Sequence, residues 1–592
     1  MTSYIRYLVI FVFCLISYIH TEDDRALLYK TNEQLRDESL GTINLDDLGK
    51  MFTKLMDDIN NGAHDSDSCS GCNVSLTYAR ILIKDGGIIR LVSGSACKNV
   101  KQSQRVCSGV LNLMSDSLAF IFQHTKLTTP EMCGALLHPD CMTQLKQPMS
   151  PKLIWELPLP PKKPFTPKTG PKEELKMIHV TDAHLDLWYT PGSNSMCNEP
   201  LCCRSTSYGH NSSAGYWSQC LHNCDTPISF AESSIEDMAR KHQDLDFVIW
   251  TGDNIPHDVW NTTQTVNLLH IDAMTNAIKS SFSDKMVFPC LGNHETHPIN
   301  MYIPTEVSAI SNGTFSMSWL YDTLADNYWS KWINTEAAKR TFKKGGYYSA
   351  QVNEALKVIA LNNAMAQRGN YWVGYDPVDP DGQIQWLIDE LDSAETQGQY
   401  AMIIGHIPPN ECYVAWTNNY YRIMERYQHL IVGTYFGHTH KDEILVLYNI
   451  DKDNKPYAVS HAYLGSSLTT YSALNPGYRL FTLDNKGEPI DFTMYYSNVT
   501  EDNIEGRKVL PKWSFGYSAK QSYQLESLST KSWDEFITKA KTDDNLTKTY
   551  FQRFYRFSEA FLVENQYTIE DMRQNLQNRK AVNPIHDIKS EL

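Results

Sequence analysis

Short runs of mostly apolar, β-rich residues recur along the middle of the chain and predict buried strands. The runs are LKMIHV from Leu175, LDFVIW from Leu245, KMVFPCL from Lys285, ALKVIAL from Ala355, YAMIIG from Tyr400 and LIVGTYFG from Leu430. Continuous apolar runs of this length are typical of strands that are covered on both faces. Because helix-compatible stretches separate several of them, the pattern predicts an α/β domain.

A proline-rich stretch divides the chain. Eight of the 26 prolines lie between Pro148 and Pro171, and such a segment cannot form a regular hydrogen-bond ladder. We therefore expect a semi-rigid linker over residues 146–172, followed by the α/β domain over residues 173–500. The charged stretch over residues 501–592 predicts a helical C-terminal region.

The first residues have the pattern of a secretory signal. Arg6 precedes an apolar run from Tyr7 to Ile19, which at about 13 residues is too short to span a bilayer. We expect a signal peptide over residues 1–21 and a secreted or lysosomal protein; a signal anchor that stays attached is the alternative. Six Asn-x-Ser/Thr sequons agree with this route and are candidate glycosylation sites: Asn73, Asn211, Asn261, Asn312, Asn498 and Asn545.

Thirteen cysteines remain after Cys14 of the signal. Six lie between Cys69 and Cys141, separated in part by helix-length segments. The others are Cys197, Cys202, Cys203, Cys220, Cys224, Cys290 and Cys412. In an oxidising compartment such clusters indicate disulfides, and the spacing is unlike that of a zinc ribbon.

The residues after Cys107 predict a helix with an unusually wide apolar face. At 100° per residue the face covers about 200°, and it consists of Val110, Leu111, Leu113, Met114, Leu118, Phe120, Ile121 and Phe122. A helix that faces one ordinary core needs an apolar stripe of only ~100° or somewhat more. The extra width indicates either a fold that opens against a lipid surface or a helix that also packs on the α/β domain.

The charge balance argues against one class of partner. With 53 Lys and Arg against 68 Asp and Glu, the formal net charge is −15. Binding to the phosphate backbone of nucleic acid requires a basic footprint. We therefore expect no nucleic-acid partner, and nothing in the sequence indicates an obligate protein partner.

Polar residues follow the predicted strands at the points where the strands end. They are Asp182 and His184 in VTDAHLD, Asp253 in WTGDN, Asn293 and His294 in LGNHE, His406 in IIGHIPP, and His438 and His440 in FGHTHK. Ligand sites in open α/β sheets collect at the carboxyl ends of strands. Oxygen and imidazole donors together suit borderline divalent ions such as zinc.

In this order the motifs D-x-H, GD, GNHE, GH and GHTH resemble those of the calcineurin-like metallophosphoesterases. The surrounding segments TGDNIPHDVW, GNHETHP, GHIPP, NNYYRIMERY and LTTYSALNPGYR are similar to the acid sphingomyelinase branch of that family. The six-cysteine block resembles a saposin B-type domain, here over residues 65–145. The resemblance covers about residues 65 to 560. It implies an all-α, disulfide-bonded saposin domain and then a metallophosphoesterase β-sandwich flanked by helices.

The resemblance also implies a function and a cofactor. It implies hydrolysis of sphingomyelin to ceramide and phosphocholine by a hydroxide that two zinc ions activate, with the saposin domain giving access to membrane lipid. The first ion would be held by Asp182, His184, Asp253 and His440. The second would be held by Asp253, Asn293, His406 and His438.

Other site residues follow from the same resemblance. His257 and His294 are the candidate proton donors to the leaving group, although His257 could instead only hydrogen-bond a backbone carbonyl. Tyr471 is the candidate contact for the choline headgroup, with an ordinary packed tyrosine as the alternative. The implied disulfides are Cys69–Cys141, Cys72–Cys133, Cys97–Cys107, Cys197–Cys202 and Cys203–Cys224. Cys412 matches a family cysteine whose partner is missing here.

Two neighbouring families and one other function class are the alternatives to this interpretation. Purple acid phosphatases place a Tyr three residues after the bridging Asp, where this chain has Pro256. Sphingomyelinase-like phosphodiesterases share the catalytic motifs but act on nucleotide-type substrates and lack a saposin domain. A lipid-binding protein with a degenerate catalytic domain is the third alternative, and the complete ligand set argues against it.

Overall fold

A computed structural model of the chain describes residues 66–87, 89–90, 97, 103–210, 212–219, 221–561 and 566–585. The expected signal peptide, the sequon at Asn211 and the thiol of Cys220 lie outside the described residues. Among the other sequons Asn261, Asn312 and Asn545 are exposed, while Asn73 and Asn498 are half-buried. Glycosylation at these sites stays a prediction.

Helices occur throughout the described residues. In chain order they are α1 (Ser66–Leu82), α2 (Gln104–His124), α3 (Thr129–Leu136), α4 (Cys141–Gln144), α5 (Ile228–Lys241), α6 (Gln264–Ser281), α7 (Thr305–Ile310), α8 (Ser318–Thr323), α9 (Glu336–Gly345), α10 (Gln383–Gln397), α11 (Val414–Tyr427), α12 (Val499–Glu505), α13 (Ala519–Tyr523), α14 (Thr530–Ala540), α15 (Asp544–Phe554) and α16 (Ile569–Gln577).

Helices α1 to α4 form an N-terminal helical module that disulfides hold together. Cys69 is bonded to Cys141, Cys72 to Cys133 and Cys97 to Cys107, which are the pairs that the resemblance implies. Helix α2 begins at an N-cap, where the Ser103 hydroxyl accepts a hydrogen bond from the backbone N–H of Val106. Helix α3 begins with a capping box between Thr128 and Glu131.

The wide apolar face of α2 is covered by protein. Most of its side chains are buried, and the ring of Phe120 lies 5.0 Å from that of Phe315 and 5.8 Å from that of Trp372. Both partners belong to the domain beyond the linker. In this conformation α2 therefore packs on the α/β domain, which is the second alternative given for its wide apolar face. Among the described residues α2 is also the helix long and apolar enough to cross a bilayer, but 61% of that stretch is buried inside the protein.

The proline-rich linker has almost no regular secondary structure and lies against the domain that follows it. The indole N–H of Trp155 donates to the carbonyl of Pro377 at 2.9 Å. The guanidinium of Arg426, on α11, donates to the carbonyls of Pro160 and Pro161 at 2.7 Å each. These contacts attach the linker to the surface of the domain that follows it.

Fifteen strands lie in the described residues, in two main sheets and a short pair. In chain order they are β1 (Glu174–Val180), β2 (Leu185–Asp186), β3 (Thr226–Pro227), β4 (Phe247–Trp250), β5 (Met286–Pro289), β6 (Tyr348–Gln351), β7 (Leu356–Ala360), β8 (Tyr400–Ile404), β9 (Ile431–Phe436), β10 (Glu443–Ile450), β11 (Pro456–Leu464), β12 (Gly477–Asp484), β13 (Pro489–Ser497), β14 (Trp513–Ser518) and β15 (Lys580–Val582).

The two sheets pack face to face and form a β-sandwich. The first has the order β14-β13-β12-β1-β4-β5, and the second has the order β15-β10-β11-β9-β8-β7-β6. Aromatic side chains join the inner faces: the ring of Tyr435, on β9, lies 5.2 Å from that of Phe481, on β12. Helices α10 and α11 pack on strands of the second sheet. This α/β architecture is the one that the resemblance implies.

The C-terminal region is not purely helical, which corrects the prediction for residues 501–592. It adds β14 to the edge of the first sheet and β15 to the edge of the second. In β14 the aromatic residues Trp513, Phe515 and Tyr517 alternate with small residues, which is the period of a strand. An unpaired sheet edge exposes backbone donors and acceptors, so pairing with these segments satisfies them.

Candidate metal centre and active-site cavity

The residues that the motifs single out come together at one end of the sandwich. Asp182 follows β1, Asp253 follows β4, Asn293 follows β5, His406 follows β8 and His438 follows β9. Backbone hydrogen bonds tie neighbouring loops to one another. The N–H of His184 donates to the carbonyl of Asp253 at 3.0 Å, and the N–H of Gly437 donates to that of His406 at 2.9 Å. All seven predicted ligands therefore border a single site.

The backbone of this site adopts conformations that residues other than glycine rarely take. A positive φ occurs at five of the seven positions: 49° at Asp182, 38° at His184, 59° at Asp253, 73° at His438 and 62° at His440. Such conformations cost about 1–3 kcal/mol each and persist where the surrounding structure enforces them. Here they turn the side chains at the strand ends toward one point.

The side chains approach each other closely enough to share ions. The Nε2 atom of His406 lies 3.0 Å from a carboxylate oxygen of Asp253, and the Nε2 atom of His184 lies 3.5 Å from the same oxygen. The Nε2 atoms of His184 and His440 are 3.0 Å apart. His438 joins Asp253 and His406 in a group whose ligand atoms all lie within 4.8 Å of one another.

Backbone carbonyls orient two of the imidazoles. The Nδ1 of His406 is 2.6 Å from the carbonyl oxygen of Thr251, and the Nδ1 of His184 is 2.7 Å from that of Ile255. With a proton held at Nδ1, the lone pair of Nε2 faces the site, which is the usual arrangement of a metal-binding histidine. The amide nitrogen of Asn293 donates to Asn300 at 2.9 Å, so its oxygen is free to act as a ligand.

The chemistry of the donor set fits divalent ions. Among the described residues the buried Oδ1 of Asn293 has no hydrogen-bond partner, and the Nε2 of His406 faces the carboxylate of Asp253. Burial would lower the pKa of His406, but the carboxylates of Asp253 and Asp182 raise it to about 10. The two buried carboxylates are therefore stabilised by a positive charge next to them. The lone pairs of the imidazole and amide groups point to the same position between the loops. Divalent cations satisfy both requirements.

Two carboxylates that support the site were not singled out from the sequence. Glu295 accepts backbone hydrogen bonds from Gly292 at 2.6 Å, Asn254 at 2.7 Å and Asp253 at 3.2 Å. It therefore joins the loops after β4 and β5, and burial raises its pKa to about 7. Glu295 stands inside the GNHE motif, so the motif itself was the available signal.

Asp225 is the second supporting carboxylate, and it holds His257. The Nδ1 of His257 lies 2.9 Å from one oxygen of Asp225, whose other oxygen accepts the backbone N–H of His257 at 2.7 Å. Burial lowers the pKa of His257 to about 3 and raises that of Asp225 to about 6. The partner of His257 is therefore a carboxylate and not a backbone carbonyl. Asp225 follows Cys224 and belongs to no motif that the sequence analysis used.

The C-terminal region reaches the site through one arginine. Arg556 is fully buried, and its guanidinium donates to the backbone carbonyls of His440 and Asn475 and to the hydroxyl of Ser467, the last at 2.9 Å. It thereby joins the loop that carries His440 to the loop that carries Tyr471. No local pattern marks this arginine, because its acceptors lie 81 to 116 residues away.

A cavity of about 500 Å³ opens over the candidate ligands. Its wall includes Asp253, His257, His294, His438 and Tyr471 from the catalytic loops. Val106 and Val110, on helix α2 of the helical module, form another part of the wall. The structure thus brings both proton-donor candidates and the headgroup candidate to the cavity over the candidate ligands.

A disulfide-closed loop connects the helical module to this cavity. We call residues 194–224 the cysteine loop; Cys197–Cys202 and Cys203–Cys224 are its disulfides. Its buried Glu199 lines the cavity, forms a salt bridge with Arg105 and accepts a hydrogen bond from Ser103 at 2.8 Å. The carboxylate therefore lies at the N-terminus of α2, where negative charge is favourable. Cys290 and Cys412 are buried free thiols.

Fold and site together define a calcineurin-like phosphoesterase, and the family model of that description matches residues 175–442. Human sphingomyelin phosphodiesterase is 33% identical over 466 residues, covering 76% of this chain and 71% of the human protein. Sphingomyelin phosphodiesterase B of Dictyostelium discoideum is 30% identical, covering 77% of this chain and 71% of its own length. The chain belongs to the sphingomyelin phosphodiesterase family of metallophosphoesterases.

A further relative has a different substrate in its name. The human cyclic GMP-AMP phosphodiesterase SMPDL3A is 30% identical over 400 residues, covering 64% of this chain and 81% of that protein. The shared part includes fewer residues of this chain than the match to sphingomyelin phosphodiesterase does.

Proposed function

We propose that this chain hydrolyses the phosphodiester of sphingomyelin to ceramide and phosphocholine with two bound zinc ions. The observation that carries the proposal is a complete set of inward-facing ligands under a cavity that the helical module helps to wall. A decayed site would tolerate the loss of at least one of these ligands. A secretory-pathway protein, secreted or lysosomal, agrees with its five described disulfides.

The ligands divide around Asp253. Asp182, His184, Asp253 and His440 would hold one ion, and Asp253, Asn293, His406 and His438 would hold the other. Two divalent ions would lower the pKa of a water nucleophile and offset the charge on the phosphoryl oxygens. The chain supplies the positions: strained loop conformations aim the ligands, and Glu295 holds the loops after β4 and β5 together.

His257 and His294 are the proton donors in this proposal. The leaving group is the alkoxide of ceramide, which departs poorly unless it receives a proton. Asp225 keeps one nitrogen of His257 engaged, so the other nitrogen is the one available to the cavity. The backbone N–H of His294 donates to Asp253 at 2.9 Å, which places the residue beside the centre. Its Nδ1 has no hydrogen-bond partner among the described residues, so this nitrogen is available to a substrate.

The lining of the cavity includes groups that suit both parts of the lipid. Val106, Val110 and Val259 add apolar surface for the ceramide part. The aromatic ring of Tyr471 faces the same cavity and is the proposed contact for choline, since a quaternary ammonium is held by aromatic rings. Access to membrane lipid through the helical module is part of the proposal, although the broad apolar face of α2 is covered in this conformation.

The decisive experiment compares substrates on one enzyme preparation. Hydrolysis of sphingomyelin vesicles is measured beside hydrolysis of a cyclic dinucleotide, at acidic and neutral pH, together with the zinc content. We expect about two zinc ions per chain and a preference for sphingomyelin. A preference for the cyclic dinucleotide would show that the chain is a nucleotide phosphodiesterase and that the proposed substrate is wrong.

A substitution of Asp253, the proposed shared ligand, tests whether this residue holds both zinc ions. Asp253→Asn should reduce the zinc content at both positions. Activity should fall by more than ~100-fold, because substitution of a residue that only hydrogen-bonds to a metal ligand already costs up to that much. The matched control is Asp392→Asn, which removes a carboxylate that pairs with Lys163 on the linker, remote from the cavity. If Asp253→Asn lost one ion and kept the other at full occupancy, the bridging assignment would be wrong.

A further inference from the structure

The connection between β13 and β14 carries an exposed patch that is both apolar and basic. We define the 504–515 patch as Ile504, Arg507, Lys508, Val509, Leu510, Lys512 and Phe515. Its apolar members are among the most exposed large hydrophobic side chains described: 79% of Ile504, 70% of Leu510, 60% of Phe515 and 55% of Val509 face solvent. Exposed large apolar side chains this close together in the sequence are typical of an interaction surface.

Strand register places the patch at the active-site end of the molecule. Strand β12 is antiparallel to β1, and β13 is antiparallel to β12, so β13 runs in the same direction as β1. Strand β1 ends at the loop of Asp182, and β13 therefore ends at the same edge of the sheet. Ser497 pairs with Trp513 at the start of β14, so residues 498–512, which include the short helix α12, form the connection at that edge.

Hydrogen bonds attach this loop to the rim of the cavity. The indole N–H of Trp217 donates to the carbonyl of Gly506 at 2.9 Å, and the side-chain amide of Asn503 donates to the carbonyl of Ser218 at 2.9 Å. Trp217 and Ser218 belong to the cysteine loop, whose Glu199 lines the cavity. The cysteine loop itself exposes 53% of Met196 and 44% of Leu221. Cavity rim and patch thus share one side of the protein.

The charges of the patch identify its partner. The acidic residues of this connection, Glu501, Asp502 and Glu505, all precede the basic ones. Residues 506–515 contain Arg507, Lys508 and Lys512 and no acidic side chain, so this stretch carries +3 in a chain of net charge −15. None of the three basic side chains forms a salt bridge in the described part of the chain. Basic residues interspersed with apolar ones are typical of segments that insert shallowly into membranes containing anionic lipid.

We propose that the 504–515 patch is a second membrane-contact surface, which binds the headgroup region of a bilayer that contains anionic lipid. The basic side chains attract the lipid phosphates and carboxylates, and Ile504, Val509, Leu510 and Phe515 enter the apolar boundary. This contact holds the cavity rim toward the bilayer while the apolar face of α2 stays covered. The inference deepens the proposed function and rests on it for its purpose, but its test does not require sphingomyelin.

Vesicle binding tests the patch directly. The full chain is sedimented with vesicles of phosphatidylcholine alone and of phosphatidylcholine with phosphatidylserine, both without sphingomyelin. We expect tighter binding to the anionic vesicles, and Arg507→Gln/Lys508→Gln/Lys512→Gln should weaken it by about tenfold or more. Val509→Ser/Leu510→Ser should weaken binding to both vesicle types. Raising the salt concentration should weaken wild-type binding toward that of the basic variant.

Matched controls change the same chemistry elsewhere. Arg240→Gln/Lys331→Gln/Lys531→Gln removes three exposed positive charges outside the patch, and Ile310→Ser/Val378→Ser removes two exposed apolar side chains. Both should bind vesicles as the wild type does. All patch variants should hydrolyse a soluble chromogenic phosphodiester within about twofold of wild type, because none of the changed residues lines the cavity.

Two outcomes overturn the proposal. One is equal vesicle binding by the wild type and both patch variants. The other is a wild-type dimer in solution that the patch variants convert to monomers while vesicle binding stays unchanged, which would assign the patch to a second copy of the chain. If patch-dependent vesicle binding is found but sphingomyelin is not hydrolysed, the patch assignment stands and the proposed function fails.

Discussion

The ring of Tyr471 lies flat on the ring of His257, with 3.5 Å between the centroids and 2° between the planes. The hydroxyl of Tyr471 donates to the carbonyl of Pro200 at 2.7 Å, so the tyrosine is itself anchored to the cysteine loop. One face of Tyr471 is therefore used to position a proposed proton donor. Any contact with choline must use the part of the ring that faces the cavity.

This stack separates two roles of Tyr471. Tyr471→Phe keeps the stack and should retain most activity. Tyr471→Ala removes it, and we expect kcat to fall ~10-fold or more on every phosphodiester because His257 keeps its contacts with Asp225 but loses the ring that fixes its plane. If Tyr471 also contacts choline, a choline-bearing substrate should lose a further ~5-fold in kcat/KM. Steady-state kinetics with matched choline-bearing and choline-free substrates measure this. Equal losses on both would remove the headgroup role and leave positioning alone.

The carboxylate behind His257 should matter for rate but not for metal. Asp225→Asn removes the negative charge and leaves one acceptor oxygen for the two nitrogens of His257 that Asp225 contacts, so we expect kcat to fall by ~10²-fold, within the range that general acid catalysis contributes. Zinc content should stay at the wild-type value, since Asp225 holds no proposed ligand by hydrogen bond. A loss of zinc in Asp225→Asn would instead make His257 part of the metal site, where His184 and His440 lie close to it.

Arg556 should control zinc affinity from outside the ligand set. Arg556→Met leaves the carbonyls of His440 and Asn475 without their buried donor, so the free energy of unfolding should fall by ~3 kcal/mol. Zinc should bind more weakly as well, because the loop of His440 loses its support. Arg556→Lys should have a stability and a zinc affinity between those of Arg556→Met and the wild type, since an ammonium cannot reproduce the hydrogen bonds of the planar guanidinium.

A stability loss alone would not establish that role, so a control is needed. Arg426 is also an arginine that donates to backbone carbonyls and pairs with a buried glutamate, Glu395, but it is half-buried and lies against the linker. Arg426→Met should lower stability and leave the zinc dissociation constant unchanged. Competition with a chelator measures that constant in both variants. Equal zinc affinity in Arg556→Met and wild type would contradict the positioning role.

The salt bridge between Arg105 and Glu199 should couple the helical module to the cavity. Either single variant, Arg105→Gln or Glu199→Gln, should raise KM for vesicle sphingomyelin more than for a soluble phosphodiester, because the module then loses its anchor. The double variant should be no worse than Glu199→Gln alone, which a double-mutant cycle tests. Additive effects of the two changes would show that the two side chains act separately.

Acid should destabilise the fold in part through His461. Burial lowers its pKa to about 4, and its Nδ1 lies 2.9 Å from the Thr530 hydroxyl. An unfolded histidine has a pKa of ~6.5, so between these values the unfolded chain binds a proton that the folded chain does not. Stability is therefore present above pH ~6.5 and falls below it, by ~2 kcal/mol between pH 6.5 and pH 5 for this one group.

His461→Gln should flatten that dependence. Urea unfolding at pH 7 and pH 5 should show a smaller difference for His461→Gln than for wild type, although the variant loses some stability at both pH values. His210→Gln, at an exposed histidine, is the control and should keep the wild-type difference. A wild-type pH dependence in His461→Gln would mean that other groups account for it.

Sequence patterns captured the centre of the fold better than its edges. All six apolar runs are strands, β1, β4, β5, β7, β8 and β9, because strands buried on both faces are apolar throughout. Strand β15 has three residues and is defined only by its pairing with β10, so no local pattern predicts it. Strand β14 did show an alternating pattern, but the surrounding charge favoured a helix.

The candidate site divides in the same way. The seven ligand positions follow from motifs at strand ends, and the structure places their side chains together; that they bind zinc stays a prediction. Asp225 and Arg556 act across long sequence separations, and their roles depend on packing that the sequence does not display. The sequence also does not show how α2 packs. Its wide apolar face is compatible with a lipid-facing role in the sequence, but in the structure Phe120 of this face contacts Phe315 of the other domain.

The late position of Arg556 in the chain has a consequence for biosynthesis. The first predicted ligand, Asp182, leaves the ribosome 374 residues before Arg556 does. The edge strand β15 of the second sheet follows later still. A nascent chain that has reached residue 500 already contains all seven ligands, yet the loop of His440 still lacks its donor. Zinc loading during translation is therefore expected to be weak until the last part of the catalytic unit has emerged, so that the enzyme matures only after its chain is nearly complete.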